Sequence, residues 1–151
     1  MLLLVGLTLV VMGVALVLSR QRARLMEQAR VRLHADLGGS DIRRISGARC
    51  VGHEGDGRGL QGIRGAGALG LTGTQLRFVA GREGHTITIP LTRVVGSSMS
   101  RSFRGSSLTP YHRHPVLVVR WVSDAGGSHE VGWAVPEAAV WTTTIDQLVG
   151  R

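Results

Sequence analysis

The sequence predicts a mainly β protein. The expected form is a curved antiparallel sheet, or partly closed barrel, of about seven strands with a C-terminal capping helix, preceded by one transmembrane helix. Three observations predict it. Between Gly67 and Val95 apolar and polar residues alternate, and glycine-bearing breaks recur at short intervals. Residues 1–18 are apolar apart from Thr8 and small residues. After Pro136 the apolar spacing becomes that of a helix.

The apolar N-terminal run, as a helix, rises about 27 Å, near the thickness of a bilayer core. It has no basic residues before it and no clear small-x-small cleavage site, so an uncleaved anchor over residues 1–19 is expected in preference to a signal peptide. Arg20, Arg22, Arg24, Arg30 and Arg32 follow it. Positive charge on that flank places the rest of the chain in the cytoplasm, with the N-terminus outside the cell membrane. The same arginines can meet anionic lipid headgroups. Residues 20–40 read as a basic amphipathic stalk with Met26, Ala29, Leu33 and Leu37 on one face, and Gly38-Gly39-Ser40 ends it. That stalk could lie on the bilayer, pack on the domain or pair with a second copy.

Residues 41–151 form the expected domain. Ile42–Val51 is a first strand, interrupted at Gly47, and a glycine-dense loop follows. Leu69 and Leu71, then Leu76, Phe78 and Ala80, then Ile87 and Ile89 mark the one-sided faces of a three-strand meander. Pro90 cannot donate a ladder bond and should end a strand or sit at an edge. Leu91–Met99 reads as a strand that turns away, Pro115–Val122 as a central strand, and Ser128–Val135 as its return after an Asp124–Gly127 turn. Pro136-Glu137 opens the last helix, since proline suits the first turn and a carboxylate suits its dipole. Trp121, Trp133 and Trp141 fall where core packing is their expected job.

Composition narrows the chemistry. All 18 basic residues are arginine and the formal net charge is +8. Residues 20–38 carry five arginines against Glu27 and Asp36, a net +3, and residues 39–151 carry thirteen against eight acids, a net +5. That modest charge on the domain, with few aromatics between the arginines, argues against nucleic acid. The single cysteine, Cys50, excludes an intrachain disulfide and a multi-cysteine zinc site.

Candidate sites are few. Two GxGxxG matches, Gly57-Gly59-Gly62 and Gly65-Gly67-Gly70, lack the strand before and helix after that a phosphate loop needs. His112 and His114 could begin a metal site, but no third ligand stands nearby in sequence. No GxSxG turn or paired-carboxylate arrangement appears, so no catalytic residue and no cofactor is expected. From Arg93 to Val122 there are five arginines and no acid. Within that stretch Arg93, Arg101, Arg104 and Arg113 read either as a face for anionic headgroups or an acidic partner, or as a solvated basic loop.

The residues Gly67, Leu69, Leu71, Thr72, Leu76 and Phe78, followed by Ile87, Ile89, Pro90, Leu91 and Val94, resemble the strand pattern of bacterial PH-like and GRAM-like domains. The apolar strand at 115–121 and the helix VPEAAVWTTTIDQL continue the resemblance, which covers residues 45–149. It implies a PH-like sheet plugged by the last helix. The phosphoinositide-binding basic motif of eukaryotic PH domains is not recognisable. The expected function is that of a non-enzymatic, single-pass membrane protein presenting a cytoplasmic binding or scaffold module to a protein partner or an anionic membrane surface. An accessory subunit of a larger membrane complex is the alternative, and an enzyme with an unrecognised site is a second one.

Overall fold

The computed structural model describes residues 2–55, 63–82, 84–103 and 114–150, with side chains of the first helix from Val11 onward. Helix α1 (Leu2–Asp36) leads into seven strands: β1 (Ile42–Glu54), β2 (Gly65–Thr72), β3 (Gln75–Ala80), β4 (Thr86–Pro90), β5 (Val94–Ser100), β6 (Val116–Val122) and β7 (Ser128–Ala134). A 3-10 turn, Leu91–Arg93, joins β4 to β5, and α2 (Ala138–Val149) closes the chain.

All the strands belong to one antiparallel sheet in the order β4-β3-β2-β1-β7-β6-β5. The mainly β expectation and the C-terminal helix are therefore met. The two edge strands are consecutive in the chain and only three residues separate them. The sheet must consequently curl to bring its ends to one corner. Pro90 ends edge strand β4, where a missing donor costs no ladder bond. Strand β1 makes the curl possible. Its residues Ile42–Cys50 pair with β2, whereas Arg49–Glu54 pair with β7, and a register shift lies between Cys50 and Gly52. Such a bulge bends and twists a strand where it passes from one neighbour to the other. β1 also runs unbroken through Gly47, three residues past the expected end at Val51.

Period-two alternation divides the side chains between two faces. Leu69, Leu71, Leu76, Phe78, Ile87, Ile89, Leu117, Val119 and Trp133 fill the inner face. Trp141 and Ile145 of α2, both fully buried, plug it. α2 begins at Ala138, two residues after the Pro136 that the sequence put in its first turn. Glu137 is its N-cap in the left-handed region (φ 55°), makes no capping bond, and sends its carboxylate to Arg44 at 2.9 Å. Ser97 Oγ of β5 donates to Asp146 Oδ1 at 2.7 Å and pins the other end of α2.

The stalk lies on the domain. Ala29, Leu33 and Leu37 are fully buried against Ala68, Val79, Ile42 and Ile45 on the outer face of β1–β3. Glycines make the seat. A Cβ at Gly70 would stand 2.9 Å from Leu37 Cδ1 and 3.0 Å from Leu33 Cδ2, and one at Gly81 would stand 2.8 Å from the Leu25 carbonyl oxygen. Arg77 on β3 donates to Asp36 at 2.8 Å and ties down the end of the helix.

The transmembrane part of the expected fold class is not met by what is described. Among the described residues no helix is long and apolar enough to cross a membrane.

The glycine seat carries a prediction. Gly70→Val and Gly81→Ala each force α1 off the sheet and should cost about 1–3 kcal/mol in thermal or denaturant unfolding. Gly73→Ala, where a Cβ meets nothing within 4 Å, should stay within about 0.5 kcal/mol of wild type. Equal effects at all three sites would remove the steric argument.

Candidate functional site

Where α1 leaves the sheet, two clefts open on either side of it. The larger, of about 310 Å³, has Arg22 and Leu25 of α1 on one wall. Arg49 of β1, Arg64 just before β2, and Arg82 and His85 of the β3–β4 turn form the others. The second, of about 290 Å³, shares Arg22 and Arg49 and adds His114. No carboxylate among the described residues lines either one.

Local structure explains the convergence. Arg49 occupies an outward position of β1, since its neighbours Ala48 and Cys50 face the inner core. It pairs in register with Ala66, which brings it beside the start of β2. The Gly81 amide donates to the Ala66 carbonyl at 2.9 Å, so the β3–β4 turn carrying Arg82 folds against the same place. Gly81 also lets the backbone of α1 approach at Leu25, and Arg22 lies one turn earlier.

The sequence-predicted arginines fare differently. Arg20, Arg22, Arg24, Arg30 and Arg32 are all exposed along α1, and Arg30 pairs with Glu27 at 3.8 Å. Of these, Arg22 reaches the clefts. In the second set, Arg93 forms an ion pair with Asp124 of the β6–β7 turn, and Arg101 is exposed beyond the far end of β5. The strand between them holds the two roughly 25 Å apart. Arg104, Arg113, His112 and the glycines of the first GxGxxG match lie outside the described residues. In the second match, Gly65 and Gly67 are in β2, as the strand-like flanks implied.

Arg49, Arg64 and Arg82 were not singled out from sequence. Their positions, 15 to 18 residues apart, show no motif, and only the strand register joins them. Arg49 alone carried a signal, as a charge between two small inward residues.

Two other groups have defined chemistry. Cys50 is buried, and burial pushes its thiol up to about 12 against the lowering pull of a backbone hydrogen bond at Gly52 and of the Arg64 charge. A thiol held neutral is no nucleophile. At the open end of the inner face, His53 stacks on His129 with ring centroids 5.5 Å apart and packs on Trp121. His53 Nε2 lies 3.4 Å from His129 Nδ1, while its own Nδ1 is buried with no partner among the described residues. Burial holds the His53 imidazole below its ordinary 6.5, with His129 adding to the effect and Glu54 opposing it. Protonation would put an unmatched N–H in that site beside a second imidazole. No group of three metal-ligating side chains occurs among the described residues.

No family model and no curated protein matches the chain. Among solved structures it is similar to the C-terminal domain of an unknown protein from Leishmania infantum, with a TM-score of 0.48 and 10% identity over 78% of this chain and 92% of that one. A likeness that slight carries no argument about fold or function.

Two predictions arise here. A thiol reagent such as dithionitrobenzoate at pH 8 should leave Cys50 unmodified in the folded protein and titrate one thiol after denaturation; prompt reaction in the native state would contradict its burial. The folded pKa of His53 lies below its unfolded value, so its contribution to stability is complete above pH 6.5 and is lost as pH falls through the folded pKa. The stability advantage of His53→Phe over wild type should therefore grow below pH 6.5, and a constant difference from pH 8 to pH 5 would contradict this.

Proposed function

We propose that the chain is a single-pass membrane protein that holds a non-catalytic, PH-like binding module against the cytoplasmic face of the bilayer. One observation carries this reading. Every residue of α1 from Val11 to Arg20 is exposed, and Val11, Met12, Val14, Leu16, Val17 and Leu18 are each 46–65% exposed. An apolar arm open on all sides gains by leaving water, and a bilayer is the solvent that covers such an arm. The sequence extends the same apolar character back through residues 1–10.

Arg20, Arg22 and Arg24 stand at the foot of this arm, where the cytoplasmic interface would hold them. The β1–β3 face then sits directly beneath the bilayer, because α1 docks on it from Leu25 to Leu37 without a flexible joint. A protein partner would meet the module at surfaces away from that face. The closed inner core and the inert Cys50 support binding over catalysis.

The test is a topology and extraction experiment on the full chain. A reporter fused after Arg151 should be active only inside the cell, and the protein should stay in membranes washed with alkaline carbonate. Release by carbonate, or activity of an outside reporter, would defeat the reading.

A further inference from the structure

We propose that His53 and His129 form a proton-operated latch across the β1–β7 seam. The latch is closed while the pair is neutral, and it opens when the pair takes up a proton, uncovering Trp121 at the mouth of the inner core. The proposal goes beyond the binding-module reading and does not depend on it.

Register brings the three rings together. Trp121 on β6 pairs with His129 on β7, and His53 on β1 pairs with Val131, two residues further along β7. All three side chains therefore share the inner face, with the histidines as diagonal neighbours. The Trp121 ring centroid lies 5.2 Å from that of His129 and 5.5 Å from that of His53. Trp121 and His129 are only 6% and 5% exposed. Just beyond the end of β1, Gly55 packs so closely on His129 that a Cβ there would collide with its ring.

Tautomers decide how the pair responds to acid. The 3.4 Å between His53 Nε2 and His129 Nδ1 holds one hydrogen, whereas two pointing into it would stand about 1.4 Å apart. His53 Nδ1 is buried with no partner among the described residues, so the neutral pair is most stable with that nitrogen bare and the shared hydrogen on His53 Nε2. A further proton then has two places within the pair. On His53 Nδ1 it makes an unmatched buried N–H, and on His129 Nδ1 it opposes the hydrogen already in the gap. Separation of the rings relieves both, because it returns the charged imidazole to water.

The surrounding charges leave this logic with the pair. Glu54, next on β1, favours a proton on His53, and His129 opposes it. Glu130, beside His129 on β7, pairs in register with Glu54 and with Arg120 of β6. Arg120 is exposed and alternates to the face opposite Trp121, and Arg93 is matched to Asp124.

The full chain is labelled with fluorotryptophan, held in a mild detergent and followed by fluorine NMR from pH 8 to pH 4.5. The change of each signal between light and heavy water reports solvent contact, and Trp121→Phe assigns the signal of interest. Below pH 6.5 that change should grow roughly twofold or more for Trp121 while Trp133 and Trp141 stay covered, which is local opening and not unfolding. His53→Phe and His53→Gln, with side chains that take no proton in this range, should each keep Trp121 covered throughout. A wild-type response in either variant, with Trp133 and Trp141 still covered, overturns the latch. Glu54→Gln should move the response to lower pH, because the carboxylate favours the proton. Loss of the response in Glu54→Gln would assign the titration to the carboxylate and overturn the latch too. Exposure of all three tryptophans together, or of none, has the same consequence.

Discussion

The structure depends on how closely one helix can approach one sheet. α1 crosses the outer face of β1–β3 at places where Gly47, Gly70 and Gly81 withhold a side chain. The contacts are short: Met26 Sδ comes within 3.3 Å of where a Gly47 Cβ would stand, and the backbone of Leu25 lies over Gly81. Close approach lets Ala29, Leu33 and Leu37 bury completely against a sheet whose inner face already has its own core. Full burial of a leucine is worth about 1.5–3 kcal/mol, so two leucines and an alanine fix the helix on a sheet that glycine would otherwise weaken. The glycines cost strand propensity and provide a second hydrophobic layer in return.

A sheet with helices on opposite faces needs a strand that serves both sides of its bend, and β1 is that strand. Its first part joins the meander β2–β4, and its last part joins β5–β7. At the changeover, Gly52 and Gly132 oppose each other, and Phe103 packs on both, with its ring 2.8 Å from where a Gly132 Cβ would be. The bend thus carries a small cluster of its own, Phe103 with Val116 and Val118. Mixing local hairpins with one long central pairing also explains why every connection but β4–β5 joins neighbours in the sheet.

Most of this was legible in sequence because it rests on local rules. Alternation at Leu69–Leu71, Leu76–Phe78 and Ile87–Ile89 marks strands whatever the fold, and Pro136 with Gly150 brackets the final helix. The stripe Ala29–Leu33–Leu37 showed that α1 has a buried side, though not what it is buried against. Glycine misled by its abundance. Gly47 read as a break in a strand, whereas it is a place where a neighbour needs room. The basic cleft was beyond local rules altogether. Arg22, Arg49, Arg64 and Arg82 share no spacing, and the acid-free run from Arg93 drew notice because it is contiguous, yet Arg93 is matched to Asp124 once the chain folds.

The cleft and the apolar arm are consequences of one placement. The side of α1 that buries Leu33 also carries Leu25 onto Gly81, and the β3–β4 turn at that point brings Arg82 toward Arg22. Shifting the helix by a turn along the sheet would move Arg22 about 5 Å and take it away from Arg49 and Arg82. The exposed apolar residues begin at Leu18, just above it. The docked helix therefore fixes where the exposed apolar residues stand relative to the basic cleft. A flexible linker of the same length would not, since its ends wander over tens of ångströms. Docking sets where Arg22 stands relative to Arg49 and Arg82, and the glycine seat is what lets the helix dock so closely.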